Sequence, residues 1–295
     1  FLTQGPAVPR FEQSVASYCG VEYGVAVSNA TAGLHIACLA LGLGTGDWLW
    51  TSPITFVASA NCALYCGAQV DFVDIDPGTY NMSIDRLTEK LAQADKEGRL
   101  PKIIIPVHLC GQSCDMAAIQ RLSHQYGFKI IEDASHAIGA KYKNEPVGNC
   151  RYSDITIFSF HPVKIITTGE GGMALTNNSE LAGRMQCYRS HGVTNDANLF
   201  ESRPADEIWN YQQLDLGYNY RMNDIAASLG LSQISRLKNF IKKRNQIADK
   251  YKSFFKDLPV KFQKIHLIHH RCELYCLYLH SLFPMGLSAD YFQKI

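Results

Sequence analysis

The sequence shows no excess of charge of either sign. Of its 295 residues, 28 are Lys or Arg and 27 are Asp or Glu, so the formal net charge is +1. Proteins that bind nucleic acid or membrane surfaces need a basic excess to meet phosphate groups, which argues against both partners. No apolar run reaches the roughly 18 residues of a membrane span, and the first residues, FLTQGPAVPR, lack a signal-peptide pattern. We therefore expect a soluble cytoplasmic protein, and the absence of an initial Met suggests that N-terminal residues are missing.

A metal or disulfide framework is also absent from the sequence. The ten cysteines lie largely in apolar stretches such as NCALYC and HIACLAL, and no pair has the C-x-x-C spacing of zinc ribbons or thioredoxins. We interpret them as small buried hydrophobic residues. A cluster near the C-terminus, formed by His266, His269, His270 and Cys272, has the spacing of no common zinc site, so we predict no metal.

What the sequence does contain is a regular alternation of short β-rich runs with helical segments. Strands are predicted at GVAV, WLWTSP, AQVDFVDID, KIIIPVHL, FKIIED, SDITIFSF and GGMALTN. Helices are predicted over residues 9–19, from about residue 31 to 41, and at FVASANCALYCG and MAAIQRLSHQYG. This alternation is typical of an α/β protein with a mainly parallel sheet of about seven strands, covered on both faces. After Asn223 the pattern changes to one or two helices with a basic face. In such sheets, ligands bind at the carboxyl ends of the strands.

The first candidate site is VAVSNATAGLHIA, in which a strand leads into the polar start of a helix near Thr31. Backbone N–H groups at a helix start bind phosphate without a lysine. Simple N-capping by Ser28 or Asn29 is the alternative, and this segment alone leaves it open.

The second candidate is FKIIEDASHAIGA, where a buried strand runs into Glu132 and Asp133. The Asp133 carboxylate either caps a following helix or holds a proton on a heterocyclic nitrogen. His136, three residues further on, is expected on the same side of a helical turn.

The third candidate is SDITIFSFHPVKIITTGEGGMALTN, where Pro162 forces a turn and Lys164 projects between two strands. Burial lowers the pKa of a lysine and yields a nucleophile able to form a Schiff base, while the alternative is a surface lysine in a loop. A helix start suited to phosphate, an Asp at a strand end and a Lys after a strand end are together the groups that a pyridoxal phosphate (PLP) site needs.

These segments resemble a known family. SNATAGLH, EDASHAIGA, FSFHPVKIITTGEGG and LGYNYRMND are similar to the motifs of the DegT/DnrJ/EryC1/StrS sugar aminotransferases. The resemblance runs from about Phe1 to Leu258 and implies the aspartate-aminotransferase fold (PLP fold type I). It implies that Lys164 bonds to the cofactor's aldehyde and that Asp133 pairs with the ring nitrogen.

The resemblance also implies further contacts to the cofactor. Thr31, Ala32 and Ser159 are expected at its phosphate, Phe56 stacked on its ring, and His136 beside its ring hydroxyl. Asn219 matches an asparagine that reaches the phosphate across a dimer interface, so the resemblance implies a homodimer with shared active sites.

Within the family, HPVKIITTGEGGMALTN is similar to transaminases of pseudaminic acid synthesis. The implied reaction moves an amino group from L-glutamate to C4 of a UDP-linked 4-keto-6-deoxy-N-acetylhexosamine. Two alternatives stay open: a sister enzyme acting on a UDP-4-keto-pentose, and a noncatalytic PLP-binding fragment. Arg189 and Arg221 are candidates for the sugar donor's pyrophosphate, or equally for structural ion pairs.

The C-terminal part departs from the family pattern. We predict a PLP-binding large domain over residues 1–235, and a connecting helix with an incomplete or atypical small domain over residues 236–295. After about Lys264 the sequence is rich in His, Cys, Leu and Tyr without family landmarks, which favours a shifted reading frame or a gene fragment.

Overall fold

The computed structural model describes residues 2–200, 209–258, 260–264, 269–270 and 277–279. Its helices are α1 (Ala7–Cys19), α2 (Ala30–Ala40), α3 (Ala58–Tyr65), α4 (Ile84–Glu97), α5 (Met116–Tyr126), α6 (Ser179–Arg189), α7 (Asp224–Ile234) and α8 (Leu237–Phe254). Its strands are β1 (Tyr23–Val27), β2 (Trp48–Thr51), β3 (Gln69–Phe72), β4 (Ile103–Ile105), β5 (Lys129–Asp133), β6 (Lys141–Tyr142), β7 (Glu145–Pro146), β8 (Ile155–Ser159), β9 (Gly172–Thr176), β10 (Val193–Thr194), β11 (Gln212–Gln213), β12 (Val260–Phe262), β13 (His269–His270) and β14 (Leu277–Leu279).

Seven strands form the main sheet, in the order β1-β9-β8-β5-β4-β2-β3. The pairs from β8 through to β3 are parallel, whereas β9 runs antiparallel to both of its neighbours. The predicted seven-stranded, mainly parallel sheet is therefore confirmed.

Helices cover both faces of this sheet because alternate strand residues point to opposite sides. On one face, Ile105 and Ile157 pack in a buried cluster with residues of α2, α3 and α6. On the other face, Phe158 packs with α1 and α7 at one end, while Ile104 packs with α4 and α5 at the other end. The strands are thus buried on both sides, which explains their nearly continuous apolar sequences.

The register of the sheet brings three strand ends to one edge. Gly172, the first residue of β9, pairs with Val27 at the end of β1 and with Ser159 at the end of β8. On the neighbouring strands, Asp133 at the end of β5 pairs with Ile157 of β8, and Ile157 is two residues before Ser159. A Cβ atom on Gly172 would lie 2.7 Å from the Ala30 nitrogen, so only glycine lets the start of α2 come this close to the sheet.

Two predicted strands are shorter than the sequence suggests. AQVDFVDID is a strand only to Phe72, because the Asp74 and Asp76 side chains accept backbone N–H groups and form turns. KIIIPVHL is a strand only to Ile105, where Pro106 lacks the N–H group that continued pairing needs. Helices α4 and α6 have no counterpart among the predicted elements. The sequence predicts one or two helices after Asn223, and the structure has two there, α7 and α8.

The cysteine interpretation is confirmed for the eight cysteines that the structure describes. All eight are free thiols, and six of them are buried. No helix in the described ranges is long and apolar enough to cross a membrane. His266 and Cys272, of the cluster for which we predicted no metal, lie outside the described residues, as does most of the predicted small domain.

Candidate active site

A cavity of about 660 Å³ opens at the carboxyl edge of the main sheet, where the loops after β1, β2, β5 and β8 meet. Seven of the eight site residues predicted from the sequence line this single cavity: Thr31, Ala32, Phe56, Asp133, His136, Ser159 and Lys164. They come from segments up to 133 positions apart, since 164 − 31 = 133. The fold therefore brings together residues that are far apart in the sequence.

The start of α2 forms one end of the cavity. The Asn29 side chain caps the helix by accepting the Ala32 N–H group at 2.8 Å. Gly33 makes the first intrahelical bond, to the Asn29 carbonyl, so the N–H groups of Ala30 and Thr31 precede the helical ladder. Capping by Asn29 is confirmed, and it leaves an electropositive helix end beside the Thr31 and Ser159 hydroxyls.

Asp133 is buried at the last position of β5 and lines the same cavity. Its Oδ1 atom accepts the backbone N–H of Ser135 at 3.1 Å and the Ser135 hydroxyl at 2.6 Å. Its Oδ2 atom accepts the Ser59 hydroxyl at 2.6 Å. The chain after Asp133 forms turns and no helix, so the helix-capping alternative and the helical placement of His136 are both wrong.

Lys164 lies in the turn between β8 and β9 that Pro162 opens. Its backbone N–H donates to the His161 carbonyl at 2.9 Å, and its carbonyl accepts the Arg244 guanidinium of α8 at 2.8 Å. Burial lowers the pKa of the Lys164 amine below its ordinary value, and the opposing influences of Asp133 and Cys110 do not cancel it. A half-buried amine of lowered pKa is a competent nucleophile, which disfavours the surface-loop alternative.

His136 is influenced electrostatically by both Lys164 and Asp133. Burial and the nearby Lys164 amine lower the pKa of His136 to about 4, against the opposite pull of Asp133. Its Nδ1 atom accepts the Cys110 backbone N–H at 3.3 Å, so the proton of the neutral ring is on Nε2. His136 therefore acts as a neutral hydrogen-bond donor through Nε2 at neutral pH.

Phe56 supplies a large aromatic surface at the cavity wall. Its side chain is 71% exposed, although aromatic rings are commonly buried. The residue precedes α3, the helix that also carries Ser59. A flat ligand in the cavity would cover the exposed ring.

A buried polar pair lies behind Asp133. Glu132 Oε2 accepts His108 Nε2 at 2.6 Å, and Glu132 Oε1 accepts the hydroxyls of Ser153 and Thr156. Burial alone would raise the pKa of the Glu132 carboxyl, but His108 and these hydroxyls outweigh it and lower the pKa. The His108 backbone N–H in turn donates to the Asp133 carbonyl at 3.0 Å, which ties the pair to the end of β5.

Three residues singled out from the sequence do not line the cavity. Asn219 is exposed and forms a backbone bridge with Ser190. Arg189 donates to Glu12 at 2.6 Å and to the Ala26 carbonyl at 2.7 Å, so it is a structural ion-pair partner. Arg221 forms a backbone bridge with Val27 and is likewise absent from the lining.

Comparison with known proteins identifies the class of this site. The model of the DegT/DnrJ/EryC1/StrS aminotransferase family matches residues 1–284. The chain belongs to this family of PLP-dependent sugar aminotransferases. The expected family and the PLP fold type I architecture are both confirmed.

Individual relatives carry different substrate names. The chain is 38% identical over 283 residues to the UDP-4-amino-4,6-dideoxy-N-acetyl-beta-L-altrosamine transaminase of Campylobacter jejuni, covering 96% of this chain and 70% of the relative. It is 34% identical over 252 residues to the UDP-4-amino-4-deoxy-L-arabinose--oxoglutarate aminotransferase of Shewanella sediminis, covering 85% and 62%. The solved structure of Helicobacter pylori PseC, an aminotransferase involved in pseudaminic acid biosynthesis, superposes with a TM-score of 0.83 and is 31% identical, covering 95% of this chain and 71% of that chain. The chain thus spans about two thirds of the length of these proteins.

The residues present fit the family's cofactor. PLP needs an amine for its aldehyde, an anion for its ring nitrogen and an anion-binding cradle for its phosphate. The cavity provides Lys164, the buried Asp133 carboxylate and the uncapped N–H groups at the start of α2. The exposed Phe56 ring adds an apolar wall of suitable size.

Sequence reasoning missed several residues of this site. Ser135 follows Asp133 by two positions, the spacing of a turn in which the aspartate accepts its neighbour's donors, so a turn prediction would have found it. Ser59 carries no comparable signal, because its contact with Asp133 depends on how α3 packs beside β5. Thr55 is connected to Asp133 only through Ser59, so it could not be found either. Arg244 belongs to a helix that the sequence places outside the site.

Proposed function

We propose that the chain is a PLP-dependent transaminase that moves an amino group from L-glutamate to C4 of a UDP-linked 4-keto-6-deoxy-N-acetylhexosamine. The observation that carries the proposal is the arrangement of Lys164, Asp133 and the start of α2 around one cavity. The name of the Campylobacter relative and the similarity to PseC favour this sugar and pseudaminic acid synthesis.

Each residue has a separate task in this proposal. The bound cofactor supplies an aldehyde and an electron-withdrawing ring that stabilises negative charge at the substrate carbon. Lys164 would hold the cofactor by condensing its Nζ with the aldehyde and releasing water. Once the substrate's amino group has displaced it, the free Nζ would move the proton of the substrate's Cα. Asp133 would hold a proton on the ring nitrogen, and Thr31 and Ala32 at the start of α2, with the Ser159 hydroxyl, would hold the phosphate. Phe56 covers the ring, and His136 donates from Nε2 to the ring hydroxyl.

We further propose that two chains form a homodimer with shared sites. Asn219 is exposed and lies off the cavity of its own chain, as expected for a residue that reaches a partner's phosphate. Large apolar side chains are exposed near both features, among them Val57 at 55%, Leu64 at 56% and Leu216 at 71%. Exposed apolar surface of this kind is typical of an interface. A cytoplasmic location stays a prediction.

The domain division is likewise a proposal. Residues 1–235 include the main sheet and the cavity-lining residues, and the boundary falls between α7 and α8. Helix α8 then connects to the second domain, although Arg244 ties it back to the Lys164 turn.

A UDP-4-keto-pentose transaminase is the second candidate, because the Shewanella relative carries that type of name. Its substrate lacks both the N-acetyl group and C6 of the hexosamine. A direct competition between the two UDP-keto sugars separates these functions. A noncatalytic PLP-binding fragment is the third candidate.

The test uses the purified full chain with PLP in two steps. L-Glutamate should shift the absorbance of the bound cofactor and release 2-oxoglutarate, and the UDP-4-keto-hexosamine should restore the first spectrum and yield an amino sugar. Lys164→Ala is the control and should do neither. Glutamate-dependent shift with turnover of the pentose alone would select the second candidate, and PLP binding without any shift would select the third.

A further inference from the structure

The Ser59 side chain lies where α3 meets the end of β5. It is completely buried, and its hydroxyl donates to Asp133 Oδ2 at 2.6 Å. Thr55 Oγ1, one helical turn earlier in the chain, lies 2.8 Å from Ser59 Oγ. Thr55 itself lines the cavity, so a chain of hydroxyl groups runs from the cavity wall to the buried carboxylate.

The direction of these hydrogen bonds follows from the acceptor. An ionised carboxylate only accepts, so the single Ser59 proton is committed to Asp133. Thr55 must therefore donate to Ser59, which leaves the Thr55 oxygen free only as an acceptor on its cavity side. Hydrogen bonds in such a chain polarise and strengthen one another in a low-dielectric interior.

The acceptor positions of Asp133 are almost filled by this arrangement. A carboxylate offers about four acceptor positions, two on each oxygen. Ser135 fills two positions on Oδ1, through its N–H and its hydroxyl, and Ser59 fills one on Oδ2. One position is left, and it is on the oxygen that Ser59 holds.

We infer that Ser59 is a positioning residue, which fixes the Asp133 carboxylate so that Oδ2 presents its one open acceptor position to the cofactor's ring N–H. This inference rests on the proposed function for the identity of the ligand. Thr55 acts behind Ser59 by orienting its hydroxyl. Two titratable groups, Lys164 and His136, interact with Asp133 from the cavity side. The buried pair of Glu132 and His108 lies behind it. The variants below substitute none of these four residues.

The first test needs no cofactor. Ser59→Ala should destabilise the chain, and the destabilisation should fall to less than half when Asp133 is already Asn, because the charged acceptor is then gone. Ser59→Thr keeps the donor and should restore the coupling. Equal destabilisation in both backgrounds, measured by chemical unfolding, would overturn the inference.

The second test separates positioning from simple structural damage. The dissociation constants of PLP and of its 1-deaza analogue, which has carbon in place of the ring nitrogen, are measured for each variant. Wild type should prefer PLP, and Ser59→Ala should reduce that preference about tenfold, as expected for a hydrogen bond to a charged group. Thr55→Val, an isosteric change that leaves Ser59 in place, should reduce it by a smaller factor.

The outcomes distinguish the two claims. If Ser59→Ala weakens both ligands equally, Ser59 has only a structural role and the inference fails while the proposed function stands. If wild type binds neither ligand, the proposed function fails, and the inference about the ring nitrogen fails with it. Thr55→Val supplies the same comparison should Ser59→Ala not fold.

Discussion

The Lys164 amine, in the turn after β8, and the Asp133 carboxylate, at the end of the neighbouring strand β5, interact electrostatically and line one cavity. Burial is the larger influence on the amine and lowers the pKa of Lys164, while Asp133 acts in the opposite direction. The site therefore holds a nucleophile and an anion together without pairing them into an inert salt bridge. This separation is what a cofactor that bonds to one group and ion-pairs with the other requires.

The first prediction concerns the charge of His136. Its pKa of about 4 lies below the ordinary histidine value of about 6.5, so the unfolded chain takes up this proton first as the pH falls. Stability should therefore drop between pH 6.5 and 4, and the drop should be smaller in His136→Asn. NMR titration of the ring should give a midpoint near 4. A midpoint near 6.5 would contradict the neutral, Nε2-protonated ring.

His124 provides a matched control for this measurement. It is exposed in the last turn of α5, away from the cavity. His124→Asn should leave the midpoint of the His136 titration unchanged.

The second prediction concerns the cap of α2. Asn29→Ala should lower the free energy of unfolding by about 1 kcal/mol, since it removes the acceptor for the Ala32 N–H. Asn29→Asp keeps the cap and the stability, but it places a negative charge beside the phosphate position and should weaken PLP binding. Unfolding curves and PLP titrations separate the two effects.

Helix α6 is also capped by an asparagine, which provides a control for the Asn29 variants. Asn178 accepts the Leu181 N–H at 3.1 Å, remote from the cavity lining. Asn178→Ala should cost similar stability, and Asn178→Asp should leave PLP affinity unchanged. Equal loss of PLP affinity in Asn29→Asp and Asn178→Asp would rule out a phosphate site at α2.

The third prediction concerns the buried Glu132. Glu132→Gln should destabilise the chain by about 3 kcal/mol at pH 7, because it removes the charge opposite His108. The pKa of Glu132 is lowered in the folded chain, so its contribution is present above the ordinary range of a glutamate and is lost as the pH falls through the folded-state value. The difference between variant and wild type should accordingly shrink in acid. A constant difference from pH 7 to pH 3 would argue against an ionised Glu132.

Glu145 is the surface counterpart for this experiment. Its ion pair with Arg151 is exposed on both sides. Glu145→Gln should change stability by no more than about 0.5 kcal/mol at pH 7.

Much of the fold could be predicted because its signals are local. The apolar runs of β5, β8 and β9 and the polar start of α2 lie within two residues of their predicted positions. Strand ends were predicted wrongly where a local feature stops the strand inside an apolar run. Examples are the turn at Asp74 after β3 and Pro106 after β4. Helix α4 was missed although Ser83 caps it and its apolar residues recur at helical spacing.

The candidate site was predictable only in part, for a physical reason. Lys164 and Asp133 stand at strand ends, where chain direction alone brings side chains to one edge. The support behind them depends on packing between distant segments, as in the contact of Ser59 with Asp133 and that of Arg244 with the Lys164 turn. No spacing in the sequence encodes either contact.

The central claim is that Lys164 is the residue that bonds to PLP in the cavity. The most direct measurement is to incubate the chain with PLP, reduce it with borohydride and locate the added pyridoxyl group by peptide mass spectrometry. We expect one label per chain, on Lys164, and none in Lys164→Ala. Labelling spread over surface lysines, with Lys164 unmodified, would contradict it.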